Sequence, residues 1–461
     1  MGENPKMWNE ELLLTTAIGR QLYREVAETL PVIDFHNHLA VADLAADRAN
    51  FDLYALWVAP DHYKHRAMRI CGVPERLISG DAAPDEKFHA WAETLPKLAG
   101  NPLYHWTQLE LKRVFGIDEA LSPASADAIR SRADEMLATE EFSARKLLQR
   151  FHVVYSAPCA APTEALDGFE SIPGTVPSFR GDELVAPTVG SVRKLAEVAD
   201  VEIGDYTSFR RAVAKRLDDF HAVGCRIADH ALDDGFRYVP VGEDRAEALF
   251  GRLLGGTLAD GERPLLASAI LKMLMGEYAK RSWLLQLHIG AHRRTSTRLR
   301  KTLGTAGGFA GIGHTCDIDS LVTLLDDAEC GTYGLPRTIL YTLNPADHAA
   351  FAVLAGAFAG DGVPGKVQLG PAWWYCDHLE GMRDHFEKTA AYGVLSQFIG
   401  MTTDSRSLLS FVRHEYFRRA FCGWLGEKAE HGEMPDDFET LRGLVRAVCY
   451  ENAKTYIGVQ P

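Results

Sequence analysis

The stretch 32–38, Val-Ile-Asp-Phe-His-Asn-His, limits the possible folds of this chain more than any other feature. Side chains alternate between the two faces of a strand, so Asp34, His36 and His38 are expected on one face. Two imidazoles two residues apart can hold a divalent metal from one wall of a pocket, with Asp34 as a supporting carboxylate. The alternative is a half-buried strand that carries histidines without binding metal, because a His-x-His pair alone is a weak motif.

Short apolar runs with helical stretches between them follow along the chain. Together with 32–35 they predict eight strands, and strand–helix alternation repeated eight times favours a (β/α)8 TIM-type barrel of the α/β class. Residues 39–150 show helical patterning and no strand, which predicts a helical insertion after strand 1 and therefore a distorted barrel. The other predicted strands lie at 153–155, 175–179, 225–228, 283–289, 338–343, 367–370 and 398–402.

This pattern divides the chain into four segments. We expect an N-terminal helix, at about 8–30, and the first barrel strand in 1–38, and the helical insertion in 39–150. The remainder of the barrel is expected in 151–425, with a C-terminal helical segment in 426–461.

A polar or aromatic residue follows almost every predicted strand. Because the C-terminal ends of barrel strands converge on one face, these side chains are expected to form a ring around an active site. Chance could supply two or three such endings but hardly a near-complete ring. Its members are His36, His38, Ser156, Arg180, Asp229, His230, His288, Asn344, Trp373, Trp374, Asp404 and Arg406.

Asp404 follows the eighth predicted strand, which lies beside the first once a barrel closes. Opposite His36 and His38 it would complete an open site of two imidazoles and one carboxylate. Such a site suits Zn²⁺, and Mn²⁺ or Fe²⁺ are alternatives. The competing interpretation makes Asp404 the N-cap of the following helix.

Several other members of the ring allow more than one interpretation. His288 is a further ligand, a contact to substrate, or a buried structural histidine. Arg180 and Arg406 offer planar forks for a carboxylate, or belong to framework salt bridges. Of Trp373 and Trp374, one indole can stack on a sugar while the other packs beneath its loop.

Composition excludes several classes of function. A net charge of −14 argues against a nucleic-acid-binding surface. The chain shows neither a signal-peptide pattern nor an apolar run of the roughly 20 residues that cross a bilayer. Its eight cysteines contain no Cys-x-x-Cys pair and are expected to be reduced thiols. These observations predict a soluble cytoplasmic protein with no membrane or nucleic-acid partner.

Longer motifs are more specific than the ring. They lie at 61–64 (Asp-His-Tyr-Lys), 66–69, 101–106, 179–180, 286–291, 343–345, 372–374, 381–382, 403–407 (Thr-Asp-Ser-Arg-Ser) and 413–419. Together they resemble the uronate (glucuronate) isomerase family of the amidohydrolase superfamily, and they extend over nearly the whole chain.

This resemblance implies aldose–ketose isomerisation of hexuronates by proton transfer from C2 to C1. The substrates would be D-glucuronate, giving D-fructuronate, and D-galacturonate, giving D-tagaturonate. The reaction needs a base, an acid or metal that stabilises the enediolate, and cations that hold the C6 carboxylate. The resemblance assigns the metal to His36, His38 and Asp404, with Asp404 also a candidate base.

The same resemblance implies roles for four more residues. His62 and Tyr63, in the insertion, would transfer protons or contact substrate hydroxyls. Arg406, together with Arg180, would anchor the substrate. From the residues alone, His62 and Tyr63 are an ordinary loop aromatic pair. A homo-oligomer is common for such barrels, but no feature of the chain demonstrates one.

The chain also departs from the family pattern. Ser156-Ala157-Pro158 stands where Asp-Asp-Pro is usual, and the stretch 292–296 replaces an Asn-rich loop. A metal-dependent hydrolase or decarboxylase acting on a related acid sugar is therefore the alternative, and a catalytically silent sugar-acid-binding protein is the third hypothesis. Tyr63 and Arg406 favour the isomerase, because hydrolysis has no special need for either residue.

Overall fold

The computed structural model describes residues 9–304 and 307–459, so the outermost parts of the predicted terminal segments lie outside the described residues. The strands are β1 (Val32–Asn37), β2 (Val153–Ala160), β3 (Ser178–Arg180), β4 (Ile227–Leu232), β5 (Leu284–Ile289), β6 (Ala291–His292), β7 (Gly311–Ile312), β8 (Thr338–Thr342) and β9 (Val367–Leu369).

Seven of these strands form one curled parallel sheet in the order β1-β2-β3-β4-β5-β8-β9, and β6 and β7 form a separate antiparallel pair. Consecutive parallel strands joined by helices give the α/β architecture expected from the strand–helix alternation. The predicted distorted TIM-type barrel with a helical insertion after strand 1 is confirmed.

The eighth predicted strand, 398–402, is wrong as a regular strand within the described residues. Gly400 adopts φ of +90°, and a Cβ there would lie 2.1 Å from the carbonyl oxygen of Val448. The segment nevertheless runs beside β1, because the Asp404 amide donates to the His36 carbonyl at 3.0 Å and the His38 amide donates to the Ser405 carbonyl at 2.7 Å. An irregular segment therefore occupies the eighth position.

Three predicted strands also differ from the observed ones by more than two residues at one end. The fourth ends at Leu232 and not at 228, so Asp229 and His230 lie within it and not after it. The third strand covers only Ser178–Arg180, because Pro177 before it has no N–H to donate to a neighbouring strand. The second strand continues from the predicted end at residue 155 to Ala160. Its C-terminal end therefore presents Cys159 and not Ser156.

The N-terminal helix is shorter than the predicted 8–30. Helix α1 (Ala17–Glu25) begins after Thr16, whose hydroxyl accepts a hydrogen bond from the Gly19 amide and caps the helix. The segment between β1 and β2 contains helices and no strand, as predicted. These are α2 (Val41–Ala45), α3 (Leu53–Trp57), α4 (His62–Ile70), α5 (Pro84–Thr94), α6 (Pro102–Phe115), α7 (Ala126–Leu137) and α8 (Ala144–Arg150).

Further helices follow, and most of them contribute buried side chains to the hydrophobic core. They are α9 (Asp182–Val185), α10 (Val189–Ala199), α11 (Tyr206–Ala222), α12 (Glu243–Leu254), α13 (Arg263–Lys280), α14 (Thr297–Leu303), α15 (Ile318–Glu329), α16 (His348–Ala357), α17 (Leu379–Tyr392), α18 (Val412–Glu430), α19 (Phe438–Arg446) and α20 (Asn452–Ile457). None of the helices in the described parts of the chain is both long and apolar enough to cross a bilayer.

One hydrophobic cluster joins the insertion to the barrel. Side chains of α3, α5 and α6 share it with α1 and α18, including Trp57, Trp91, Leu109 and Phe421. Burial of this apolar surface is the main favourable contribution to docking the insertion. The insertion is thereby held over the end of the barrel at which the ring of polar side chains is expected.

Candidate active site

His36 and His38 converge on Asp404, as the order of the strands predicts. The carboxylate oxygen Oδ1 of Asp404 lies 3.4 Å from Nε2 of His36 and 3.0 Å from Nε2 of His38. Burial alone favours a neutral acid, but hydrogen bonds from the two imidazoles lower the pKa of Asp404 well below its ordinary value. Asp404 is therefore a carboxylate at neutral pH.

The two indoles after β9 contact this carboxylate. The Nε1–H groups of Trp373 and Trp374 donate to Oδ2 of Asp404 at 3.2 and 2.8 Å. Hence Oδ1 faces the histidines while Oδ2 is held by indoles. Both tryptophans therefore orient Asp404, and the sugar contact expected for one of them stays a prediction.

Asp34 anchors the segment that leads to Asp404. Its carboxylate accepts hydrogen bonds from the Thr403 amide at 2.6 Å, from the Thr402 hydroxyl at 3.1 Å and from Nε2 of His414 at 3.1 Å. Asp404 itself has φ of +50°, a left-handed conformation that aspartate tolerates better than most residues. Asp34 thus supports the site through this segment and through His414, and its hydrogen bonds in the described structure do not involve the rings of His36 or His38.

Further atoms that can ligate a metal lie beside His36. The rings of His36 and His288 are 4.6 Å apart, and ligating atoms of His36, Asp229 and His288 all lie within 4.8 Å of one another. Nε2 of His288 is buried and finds no hydrogen-bond partner among the described residues. Burial and the neighbouring His36 lower the pKa of His288 well below its usual value, so its ring is neutral. Imidazole nitrogens and a carboxylate are ligands that suit a divalent metal.

Other members of the predicted ring have partners within the protein. Arg180 is paired with Asp182 at 2.9 Å and with Asp229 at 3.4 Å, which is the framework interpretation of that arginine. Nε2 of His230 lies 2.9 Å from the hydroxyl of Tyr278 inside the core. The side chain of Asn344 caps the following turn by accepting a hydrogen bond from the Ala346 amide. The hydroxyl of Ser156 accepts a hydrogen bond from the side-chain amide of Asn37 on the neighbouring strand β1.

Helix α4 brings His62 and Tyr63 to the same site. Asp61 caps the helix by accepting from the amides of Tyr63 and Lys64, which places His62 and Tyr63 in the first turn. These two side chains line one pocket with Asp404 and Arg406. The hydroxyl of Tyr63 is buried and has no hydrogen-bond partner in the described structure.

Arg406 determines the tautomer of His62. Its guanidinium lies 3.0 Å from Nδ1 of His62, and because guanidinium only donates, Nδ1 accepts and Nε2 carries the hydrogen. Burial and the charge of Arg406 lower the pKa of His62 to about 4, so the ring is neutral at pH 7. His62 therefore offers an uncharged N–H, and no partner for this Nε2 exists among the residues described.

Sequence reasoning assigns no role to three groups that support the site. Lys64 forms a buried ion pair with Asp61 at 2.6 Å, and Arg413 donates to the Thr403 carbonyl at 2.6 Å. Sγ of Cys159 lies 3.5 Å from Nδ1 of His36. The three-residue spacing of Asp61 and Lys64 on one helix is a sequence signal for their ion pair. Cys159 has no such signal, because the predicted second strand ends at residue 155 and the observed one continues to Ala160.

Sequence comparison places these residues among known proteins. A family model described as glucuronate isomerase matches residues 5–457. A curated uronate isomerase of Vibrio vulnificus is 43% identical, over 97% of this chain and 98% of the relative. One of Salmonella paratyphi B is 42% identical, over 98% of this chain and 99% of the relative.

Solved structures show the same architecture. The uronate isomerase of Thermotoga maritima superposes with a TM-score of 0.91 at 30% identity, covering 98% of this chain and 99% of that one. The glucuronate isomerase of Caulobacter crescentus has a TM-score of 0.89 at 24% identity, covering 100% and 98%. A putative metal-dependent hydrolase of Lactobacillus casei shares the fold alone, with a TM-score of 0.52 at 15% identity over 95% and 97% of the two chains.

Proposed function

Because this chain belongs to the glucuronate isomerase family, we propose that it interconverts an open-chain hexuronate and its ketose by proton transfer between C2 and C1. The observation that carries the proposal is the buried, ionised Asp404 beside two groups that can donate hydrogen bonds, the Tyr63 hydroxyl and the His62 Nε2–H. An ionised base next to neutral donors is what formation of an enediolate requires. The hydrolase or decarboxylase alternative is not favoured by the family match or by the curated relatives.

In the proposed reaction Asp404 takes the proton from C2 of the aldehyde and returns it to C1. A second proton must leave the oxygen on C2 and reach the oxygen on C1, so that the aldehyde becomes a hydroxyl and C2 becomes a carbonyl. Burial raises the pKa of Tyr63 far above its usual value, so this hydroxyl stays protonated and can donate to the developing oxyanion. His62, neutral with hydrogen on Nε2, offers the second donor.

His36, His38 and Asp404 would hold the divalent metal, with His288 as a further donor, and we propose Zn²⁺ on the basis of this donor set. When bound, the metal supplies Lewis-acid polarisation of a substrate oxygen. Trp373 and Trp374 keep the Asp404 carboxylate oriented toward the histidine side, which fixes the direction from which the base acts.

Arg406 is the proposed anchor for the C6 carboxylate. Its side chain is exposed at the pocket, whereas the guanidinium of Arg180 forms ion pairs with two aspartates. A guanidinium group is planar and charged, so it can donate two parallel hydrogen bonds to a carboxylate. D-glucuronate and D-galacturonate both carry that group, and both are proposed substrates. We also propose a cytoplasmic setting, supported by the eight free thiols; a homo-oligomer stays a prediction.

The variant Tyr63→Phe is expected to lower kcat for hexuronate isomerisation by about 100-fold, because a donor to the oxyanion is lost. KM should change little, since the ring itself stays in place. Steady-state kinetics with both hexuronates measures the effect. Tyr155→Phe is the matched control, because its hydroxyl is equally buried and also has no partner in the described parts, yet it lies in the barrel core. Unchanged kcat in Tyr63→Phe would contradict the assigned role.

A further inference from the structure

Cys159 takes part in no step of the proposed reaction. Cys159 lies near the end of β2, the strand that pairs with β1 through Asn37 and Pro158. Its Sγ is 3.5 Å from Nδ1 of His36 and 3.4 Å from Oδ1 of Asp229. The thiol therefore connects a buried carboxylate on β4 to a histidine of the metal site.

The two nitrogens of His36 have different neighbours. Nε2 faces Asp404 at 3.4 Å, and Nδ1 faces Sγ of Cys159 at 3.5 Å. A neutral imidazole carries hydrogen on one nitrogen and a lone pair on the other. For Nε2 to bind a metal, Nδ1 must carry the hydrogen and needs an acceptor beside it. Sulfur occupies that position, and its own S–H can donate to Asp229.

We propose that Cys159 is a positioning residue for the metal: it accepts the Nδ1–H of His36, donates its S–H to Asp229, and so fixes the tautomer and orientation of His36. Asp229 is a suitable acceptor at the end of this chain of hydrogen bonds, because its carboxylate is fully buried and lies 3.4 Å from the guanidinium of Arg180. Such hydrogen bonds behind a ligand raise metal affinity without touching the metal. The inference rests on the proposed function in one respect, that His36 and His38 hold the metal.

Direct ligation of the metal by Cys159 is the competing arrangement. Ligating atoms of His36, His38 and Cys159 lie within 4.8 Å of one another, which permits a shared metal. The sulfur, however, faces the nitrogen of His36 that points away from Asp404. The side chain of Cys159 also hydrogen-bonds with His38, so the sulfur lies beside both histidines, and a spectrum of the metal-loaded protein has to separate the two arrangements.

Chelator competition on the full-length protein tests the proposal. Cys159→Ala is expected to weaken Zn²⁺ binding by about 10- to 100-fold, the range seen when a group behind a metal ligand is removed. Cys159→Ser should keep most of the affinity, because a hydroxyl both donates and accepts. Cys225→Ala is the matched control, since it also removes a buried thiol, but one that donates a hydrogen bond to the Ile227 carbonyl and not to a group of the metal site. Zn²⁺ affinity unchanged in Cys159→Ala, or lost equally in the serine variant, would overturn the proposal.

The absorption spectrum of the Co²⁺-loaded protein separates the two arrangements. A thiolate bound to Co²⁺ gives a charge-transfer band in the near ultraviolet, and we expect none in the wild-type protein. A band that disappears in Cys159→Ser would show direct ligation and overturn the inference. Neither measurement uses a hexuronate. A failure of the isomerase proposal is therefore seen in turnover, and a failure of this inference is seen in metal affinity or in the spectrum.

Discussion

Asp404→Asn is expected to lower kcat for both hexuronates by about 1,000-fold or more, the largest effect of any substitution considered. The amide has almost the same shape but cannot accept the C2 proton, and it removes the negative charge between His36 and His38. Asparagine tolerates the left-handed conformation at φ of +50°, so the backbone should stay in place. Steady-state kinetics, with zinc content measured in the same preparations, gives the result.

Asp200→Asn is the matched control for this substitution. Asp200 also has a left-handed backbone, with φ of +51°, but it lies exposed at the C-terminal end of α10. The control should leave kcat unchanged. If Asp404→Asn kept its zinc and more than a tenth of the wild-type kcat, another residue would have to be the base. Loss of zinc together with activity would show that the carboxylate is needed to hold the metal.

Lys64→Met is expected to lower the free energy of unfolding by about 3–5 kcal/mol, the cost of breaking a buried ion pair from one side. The side chain of Lys64 is only 2% exposed, and Nζ lies 2.6 Å from Oδ2 of Asp61 and 5.3 Å from the ring of Trp57. Removing this cation leaves the Asp61 carboxylate buried without its counter-ion. Denaturant unfolding at pH 7 measures the loss.

The loss in free energy of unfolding in Lys64→Met should depend on pH, and it should exceed the loss at an exposed ion pair. Despite the burial of Asp61, the nearby Lys64 lowers its pKa to about 2 from an ordinary value of 3.8. The stabilisation is therefore present above about pH 4 and disappears as the pH falls toward 2. Lys112→Met is the control, because its partner Asp118 is 61% exposed and such pairs contribute about 0–1 kcal/mol. A similar small loss in Lys64→Met would contradict a structural role for the buried pair.

The same ion pair connects stability to the site. Asp61 caps α4, and the first turn of α4 carries His62 and Tyr63. Lys64 holds the carboxylate that caps this turn, so the buried pair also orients the two proton donors.

The sequence was sufficient for those parts of the site that follow from strand periodicity. Alternation along β1 placed His36 and His38 on one face, and the order of the strands placed Asp404 beside them. These inferences succeed because side-chain direction on a strand and convergence of strand ends are local geometric rules. His62 and Tyr63 obey no such rule, since they reach the site from an insertion, and only the resemblance to a family identified them.

The remaining features depend on contacts between distant segments. The segment before Asp404 takes its shape from hydrogen bonds to Asp34, more than 360 residues earlier in the chain. The roles of Trp373 and Trp374 follow from the position of the Asp404 carboxylate, and that of Arg180 from its two aspartate partners. No pattern within a window of a few residues contains this information.

The most direct test of the central claim is proton transfer at C2. Metal-loaded protein is incubated with D-glucuronate and, separately, with D-galacturonate in D₂O, and the C2 proton is followed by NMR. We expect the aldose C2–H signal to be lost as the corresponding ketose forms. Absence of both C2 exchange and ketose with either hexuronate would contradict the proposed isomerisation.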